Sequence, residues 1–331
     1  MNRPIDDLVS SLGGEPLLPT PPTDPRFSVI VRTQGTRPDS LAGALASLAD
    51  QTRPPEETVI VVHDREATSG RGLADRVAAE LSEPHLRLPS DWKVVSVNGG
   101  RRSRPLNTGI DASTGDYLAF LDDDDLAMPS WIEAFARGAA DSPGTIVRAV
   151  CLTQEWATDG TNQPVRATGA LERPFADRFD LLAHLSHNET PICSIAVPRA
   201  PLVELGIRFD EDLEVMEDWE LLVRLAMLTG VTSILDETSL YRRLDSANAF
   251  AAVDQATWHR THATIIERFR SRPVLLPPGV ADRLAAAHFD PDGTTEHERR
   301  AEALASSPWW RLTAGPRRLV TALRGARTRR G

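Results

Sequence analysis

The chain alternates short apolar runs with stretches that repeat a leucine or valine every three to four residues. Phe27-Ser-Val-Ile-Val31 is β-branched and mostly apolar, the pattern of a strand buried on both faces. Pro38, Asp39 and Ser40 offer a helix start, and Leu41, Leu45 and Leu48 share one face of the helix that follows. Arg53-Pro54-Pro55 ends it. Thr58-Val-Ile-Val-Val62 is a second buried strand with His63-Asp64 at its C-terminal end, and Leu73, Val77 and Leu81 mark another helix. Lys93-Val-Val-Ser-Val97 is a third strand, followed by Asn98-Gly99-Gly100. Residues 105–114 form a short helix closed by Gly115, and Tyr117-Leu-Ala-Phe-Leu121 is a fourth strand that runs into four aspartates, Asp122 to Asp125. This alternation predicts an α/β fold with a mostly parallel, Rossmann-like sheet covered by helices on both faces. Such sheets bind ligands at the carboxyl ends of their strands, where Asp64 and Asp122–Asp125 both fall.

After Trp131 the pattern loosens. Ile146–Val150 and Ile192–Val197 read as strands. Glu217 to Leu228 reads as a helix with Leu221, Leu222, Leu225 and Leu228 on its apolar side and Gly230 as its stop. Residues 251–306 are helical in pattern. Residues 1–25 hold six prolines and read as an extended leader. The expected division is a proline-rich extension over 1–25, an α/β domain over 26–245, a helical extension over 246–306 and a basic tail over 307–331.

An apolar fraction of 41% and a charged fraction of 25% are those of a globular chain able to bury a core. The net charge of −10 argues against nucleic acid as a partner. Against that acidic background, residues 311–331 carry seven arginines and no acid. With Trp309, Trp310, Leu319, Val320 and Leu323 interleaved, they read as a basic amphipathic segment suited to anionic headgroups. The two cysteines, Cys151 and Cys193, are expected to be buried and reduced, which fits a cytoplasmic location. The N-terminus lacks the apolar stretch of a secretory signal, and no apolar run approaches the ~18 residues of a membrane span.

Four successive aspartates at the end of a buried strand are costly. Charges ~7 Å apart at an effective dielectric near 20 repel by roughly 2 kcal/mol per pair, a cost that a divalent cation would reverse. In an extended segment Asp122 and Asp124 would point to one side, Asp123 and Asp125 to the other. Carboxylate oxygens suit Mg²⁺ or Mn²⁺. Asp64 could accept hydrogen bonds from a base or ribose, or simply cap a turn. Glu217-Asp-Trp-Glu220 opens a helix, where the macrodipole favours carboxylates, and Asp218 there could act as a base.

Taken in order, these pieces resemble the family 2 glycosyltransferases, which have the GT-A fold. The likeness runs from about Phe27 to Tyr241. Ser28-Val-Ile-Val-Arg-Thr33 is similar to the first strand, and Leu41 to Gln51 to the helix with its Ser-Leu-x-x-Gln pattern. Val59-Ile-Val-Val-His-Asp64 resembles the strand ending in a nucleotide-binding aspartate. Arg104-Pro-Leu-Asn-Thr-Gly109 and Thr114-Gly-Asp-Tyr117 resemble the Arg-x-x-Asn-x-Gly and Gly-(Asp/Glu)-Tyr elements. Phe120-Leu-Asp-Asp-Asp-Asp125 with Pro129 resembles the Asp-x-Asp metal motif, and Gly206-Ile-Arg-Phe-Asp-Glu211 and Glu217-Asp-Trp-Glu-Leu221 resemble the acceptor-side segments.

The resemblance implies an inverting, metal-dependent enzyme that moves a sugar from a nucleotide-sugar donor to an acceptor hydroxyl, on a glycan or lipid-linked acceptor. It implies Asp64 as a nucleotide contact with Thr33 near the base, and Arg104 close to the nucleotide or phosphates. Asp122 would contact ribose or metal, Asp124 would be the main metal ligand, and Asp218 the catalytic base. The tail segment from Ser307 to Ala314 is similar to one in bacterial polysaccharide glycosyltransferases, which implies a lipid-linked acceptor, and the expected location is the cytoplasm, at the inner face of the plasma membrane. Two departures stand out: His63 occupies the place of a common first aspartate, and Leu244 lies near the place of a metal-binding histidine. Two rival classes are a sugar-phosphate nucleotidyltransferase and a non-catalytic nucleotide-sugar or glycan-binding module. Gly35-Thr-Arg37 is faintly similar to the former's glycine-rich loop, but no lysine follows before Lys93. Intact Asp124 and Asp218 argue against the latter.

Overall fold

The structure, a computed structural model, describes residues 3–65, 72–245 and 253–275. In chain order its elements begin with α1 (Pro4–Ser11), β1 (Phe27–Thr33), α2 (Pro38–Ala49), β2 (Glu57–Asp64), α3 (Gly72–Leu81), β3 (Trp92–Asn98), α4 (Ser103–Ala112) and β4 (Tyr117–Asp122). There follow β5 (Leu126–Ala127), α5 (Trp131–Asp141), β6 (Ile146–Thr158), β7 (Pro164–Ala167), α6 (Leu181–His184), β8 (Ile195–Pro198), α7 (Arg199–Glu204), α8 (Glu217–Thr229), β9 (Val231–Leu244) and α9 (Gln255–Ser271).

The first four main strands are where the apolar runs put them. They pair in parallel in the order β3-β2-β1-β4. Every residue of β2 is buried, as expected of a strand covered on both faces. Leu41, Leu45 and Leu48 of α2 are buried, and so are Val77 and Leu81 of α3. Beyond β4 the sheet becomes mixed. β8 joins β4 and β6 antiparallel, whereas β9 runs parallel to β6. The two-residue β5 pairs antiparallel with β9 at Leu126–Leu240 and Ala127–Ser239. This last pairing brings the aspartate run beside the end of β9.

Successive strands step outward from β1 to β2 and β3, and the chain then returns to the other side of β1 as β4. The crevice outside the carboxyl ends of β1 and β4 is therefore a topological switch point, the place where open α/β sheets bind ligands. The return crossover is made by α4, which lies very close to the sheet at Gly109. A Cβ at Gly109 would stand 2.4 Å from Ile30 Cγ2, so only glycine fits. Asn107, two residues earlier, holds the Phe209 backbone from both sides: its Nδ2 donates to the carbonyl and its Oδ1 accepts from the amide, each at 2.9 Å.

The N-terminal leader is not wholly extended, as its prolines had suggested. Pro4 occupies the first helical turn, where its missing N–H costs nothing, and Asp6 and Asp7 add acid to that turn. Arg3 is buried and donates to the carbonyls of Leu18 at 2.7 Å and Pro19 at 3.0 Å, folding the segment back on itself. Gly230 stops α8 as expected, at φ 72°. Of the expected helical extension, α9 lies within the described residues and buries Ile265 and Phe269. The basic tail lies outside the described residues. Among the described residues no helix is long and apolar enough to cross a membrane. Cys151 and Cys193 are both buried and unbridged, with their sulfurs 3.8 Å apart.

Candidate active site

A cleft of about 1000 Å³ opens at the switch point. One end of it is built by β1, β4 and the segment that follows. Register places Arg32 of β1 beside Asp122 of β4. Past Asp122 the chain turns, with the Asp125 amide donating to the Asp122 carbonyl at 3.1 Å, instead of continuing as an extended strand. The alternation expected of a strand nevertheless survives in outcome. Asp123 and Asp125 are buried, while the side chains of Asp122 and Asp124 keep 22% and 19% exposure at the cleft.

The repulsion anticipated for four aspartates is relieved by arginines. Arg32 grips Asp122 with both prongs of its fork, Nε to Oδ1 at 2.9 Å and Nη2 to Oδ2 at 2.6 Å. Arg37 spans two carboxylates, donating to Asp123 at 2.5 Å and Asp124 at 2.7 Å. Thr33 Oγ1 donates to Asp123 at 2.5 Å, and the Arg242 amide donates to Asp125 at 3.0 Å. Burial would raise the Asp122 carboxyl, but Arg32 outweighs it and holds the group below the usual range. Burial, reinforced by Asp124, pushes Asp123 up to about 6, and burial with the same neighbour raises Asp125 well above the usual carboxylate range.

Among the described residues, no three or more His, Cys, Asp or Glu side chains converge as a metal cage. Asp122 and Asp124 do present carboxylate oxygens to the cleft. That donor type suits a hard cation, which commonly takes one or two carboxylates and completes its shell with phosphate and water. Leu244, at the end of β9, lines the cleft with an apolar side chain and supplies no ligand.

A second part of the lining is built by the start of α8. Met216 precedes the helix at φ 61° and ψ 21°, a left-handed conformation unusual for a non-glycine residue and worth a functional question. Asp218 lines the cleft, with Oδ1 accepting from the Trp219 amide at 2.7 Å. Burial and the neighbouring Glu217 carboxylate push Asp218 up to about 6. A group poised there is ionised at neutral pH and still basic enough to accept a proton. Trp219 is locked behind it: Nε1 donates to the His184 carbonyl at 2.7 Å, His262 stacks on the ring at 5.3 Å, and Phe269 meets it edge-on. Through Trp258 and His262, α9 forms part of the cleft wall.

The remaining sequence-derived candidates divide. Thr33 lines the cleft, although its hydroxyl is committed to Asp123. Asp64 is buried at the end of β2, where its carbonyl accepts from the Gly99 amide at 2.8 Å; His63, not Asp64, is among the described residues lining the cleft. His63 Nε2 donates to the Gly99 carbonyl at 2.9 Å, and burial lowers its pKa, so the ring is neutral. Arg104 is also outside that lining. It pairs with Glu211 at 3.1 Å, so the Arg-x-x-Asn-x-Gly element clasps the segment ending at Glu211. Arg102, two residues earlier, faces the cleft instead. Arg32, Arg37, Arg102 and Glu217 were not singled out from the sequence. The one available signal was the pair of arginines at the end of the first strand, Arg32 within it and Arg37 just beyond it, in a chain whose fourth strand ends in four aspartates.

The model of the family described as "Glycosyl transferase family 2" matches residues 28–196, just over half of the chain. The chain belongs to glycosyltransferase family 2. The matched stretch runs from β1 into β8 and carries the aspartate run, but stops short of Asp218 and α9. Over 123 residues the chain is 28% identical to EpsH of Bacillus subtilis (strain 168), a protein assigned as a glycosyltransferase; this covers 37% of the chain and 33% of EpsH. It is 29% identical over 132 residues to the glucosyl-dolichyl phosphate glucuronosyltransferase of Haloferax volcanii, covering 40% of the chain and 39% of that protein. The chain thus spans a third to two-fifths of the length of these curated relatives. The structure of S. aureus TarS 1–349 in complex with UDP-GlcNAc superimposes with a TM-score of 0.52 at 20% identity, covering 80% of this chain and 71% of TarS 1–349. That likeness identifies the fold of this family 2 member as GT-A.

Proposed function

We propose that this glycosyltransferase moves a sugar from a nucleoside diphosphate sugar to an acceptor hydroxyl with inversion at the anomeric carbon. The observation that carries the reading is that one cleft brings together an arginine-braced aspartate run, Asp122–Asp125, and an elevated carboxyl, Asp218, at the start of α8. The complex of TarS with UDP-GlcNAc supports a uridine diphosphate donor, and UDP is the natural first probe. Asp122 and Asp124 would hold Mg²⁺ or Mn²⁺. When bound, the ion would neutralise the charge that develops on the departing diphosphate.

The chain's own residues do the rest. Asp218 takes the proton of the attacking hydroxyl, since an alcohol is a poor nucleophile until its proton leaves. A base facing the donor from across the cleft favours attack opposite the leaving group, hence inversion. Arg32 and Arg37 keep the aspartate run from repelling the incoming diphosphate. Thr33 and His63 line the part of the cleft that would receive the nucleotide, with Asp64 buried next to His63 at the end of β2 and Arg104 exposed and paired with Glu211.

The acceptor is a hydroxyl on a cell-surface glycan or a lipid-linked sugar, and the enzyme works from the cytoplasmic face of the membrane. What supports this part is the arginine- and tryptophan-bearing sequence after Ser307, not the cleft. The decisive measurement for the reaction is UDP release from a panel of UDP-sugars by the full chain, with calorimetric binding of UDP alongside. A chain that binds no nucleoside diphosphate, with or without Mn²⁺, is not this enzyme. For the membrane, a chain ending at Ser307 that still sediments with anionic vesicles as well as the full chain removes the tail's role.

A further inference from the structure

Arg32 makes more contacts across the cleft than its place in a strand requires. Besides its two-pronged pair with Asp122, its Nη1 donates to the Arg102 carbonyl at 3.0 Å and to Glu217 Oε1 at 3.1 Å. The same Glu217 oxygen accepts from Arg102 Nε at 3.0 Å. Both partners of the fork are well enclosed: the side chain of Arg32 is 11% exposed and that of Glu217 4%. Glu217 is the first residue of α8 and is joined directly to Asp218. One guanidinium therefore bridges the end of β4 and the start of α8, two elements 95 residues apart in sequence that carry the two halves of the proposed chemistry.

We infer that Arg32 is a positioning residue, tying Asp122 on the donor side to Glu217 and thereby setting the reach of Asp218 to the reacting centre. The inference rests on the reading of Asp218 as base and Asp122 as donor contact. The geometry calls for a guanidinium in particular. A planar fork offers donors in three directions at fixed angles, so it can close on one carboxylate with two bonds and still reach a second with its remaining nitrogen; an ammonium is a point charge on a flexible stem. The start of α8 also needs such a tether. Met216 enters the helix in a left-handed conformation, which persists only where its surroundings hold it. Glu217, clamped by Arg32 and Arg102, is the adjacent residue that holds it. In-line displacement is sensitive to such placement, and a shift of ~1 Å in a reacting group can cost about 10²-fold in rate.

The test is a double-substitution cycle on the full chain, with Arg32→Gln, Arg32→Lys, Glu217→Gln and the pair Arg32→Gln/Glu217→Gln. Turnover is read as UDP release from a UDP-sugar and is normalised to UDP-binding sites counted by calorimetry, so any misfolded fraction drops out. Glu217→Gln is expected to lower kcat about tenfold and leave UDP affinity within threefold of wild type. Arg32→Gln is expected to lower kcat by about 10²-fold and to weaken UDP binding as well, because it releases both partners. Arg32→Lys should recover less than a tenth of the lost kcat. The double variant should be no more than threefold slower than Arg32→Gln alone, since Glu217 acts through Arg32. If the two losses multiply, or if lysine restores wild-type kcat, Arg32 supplies charge to one end only and the inference is wrong. If Arg32→Gln does not fold, the same cycle run with Arg32→Lys decides the matter by the same criterion. A wild-type chain that binds no UDP would instead remove the glycosyltransferase reading, a separate outcome that the calorimetry alone reveals.

Discussion

The two ends of the cleft solve opposite electrostatic problems. The donor end crowds four carboxylates together and offsets them with guanidiniums, so that Asp122 stays ionised and pinned. At the start of α8 the Asp218 carboxyl has no guanidinium of its own among the described residues, and burial with the neighbouring Glu217 carboxylate holds its proton more tightly. The first arrangement suits a group that must remain an anion toward whatever the cleft binds. The second suits a group that must gain and lose a proton. On the proposed function, identical side chains take different roles because of what surrounds them, and the contrast can be broken experimentally at either end.

The largest effect should come from the acceptor end. Asp218→Asn is expected to lower turnover by ~10²- to 10⁴-fold, the usual contribution of a general base, with UDP affinity unchanged by calorimetry. Near-normal turnover would mean that the two ends do not divide the work in this way. At the donor end, Asp124→Ala is expected to weaken UDP binding by roughly tenfold or more, the loss of a single charge-assisted contact, and EDTA should do the same to the wild-type chain. Equal affinity with and without EDTA would leave the arginines as the only cations the donor end needs.

A subtler separation uses pH. Asp218 titrates at about 6, so turnover should rise as pH passes upward through that value and the base becomes ionised. Asp123 has a similar elevated value at the donor end. Measuring UDP binding across the same range distinguishes them, because only an acid limb in turnover that is missing from binding belongs to Asp218. The smallest effect is on stability. The folded pKa of Asp218 lies above the ordinary value of 3.8, so the fold disfavours its ionised form at neutral pH. Asp218→Asn should therefore stabilise the chain by on the order of 1 kcal/mol at pH 7.5, and the gain should vanish below about pH 4, where both states are protonated. A thermal melt at the two pH values checks both sign and window. A destabilised variant would mean that the Asp218 carboxylate is a structural contact and not a poised base.

The legibility of this protein in its sequence also divides along the cleft. The parallel half of the sheet could be read directly, because a strand buried on both faces must be apolar along its middle, as β1, β2 and β4 are. Asp122–Asp125 could be read because the four aspartates are contiguous and sit at a strand end, so local pattern and position coincide. Asp218 was visible only as a carboxylate at a helix start, since the macrodipole alone would account for it; the family resemblance supplied its role. The N-terminal leader was misread in part. Counting prolines missed that Pro4 at a helix start is favourable, and no local pattern announces that Arg3 will bury itself against Leu18 and Pro19.

What the sequence by itself determined was the alternation of strands and helices up to β4, the mostly parallel character of the sheet, and the presence of acid at the carboxyl edge of its strands. These follow from periodicity, and periodicity is a local property. Only the tertiary structure decided that Arg104 and Asn107 would clasp the Gly206–Glu211 segment, that α9 would wall the cleft, and that Arg32 would join Asp122 to Glu217. Each depends on which long-range neighbour a charged side chain meets once the strands have paired. A guanidinium on an exposed loop and one that bridges two buried carboxylates look the same in sequence. Burial alone makes the second bind strongly, because desolvated charges must find partners, and the fold determines which partners lie within reach.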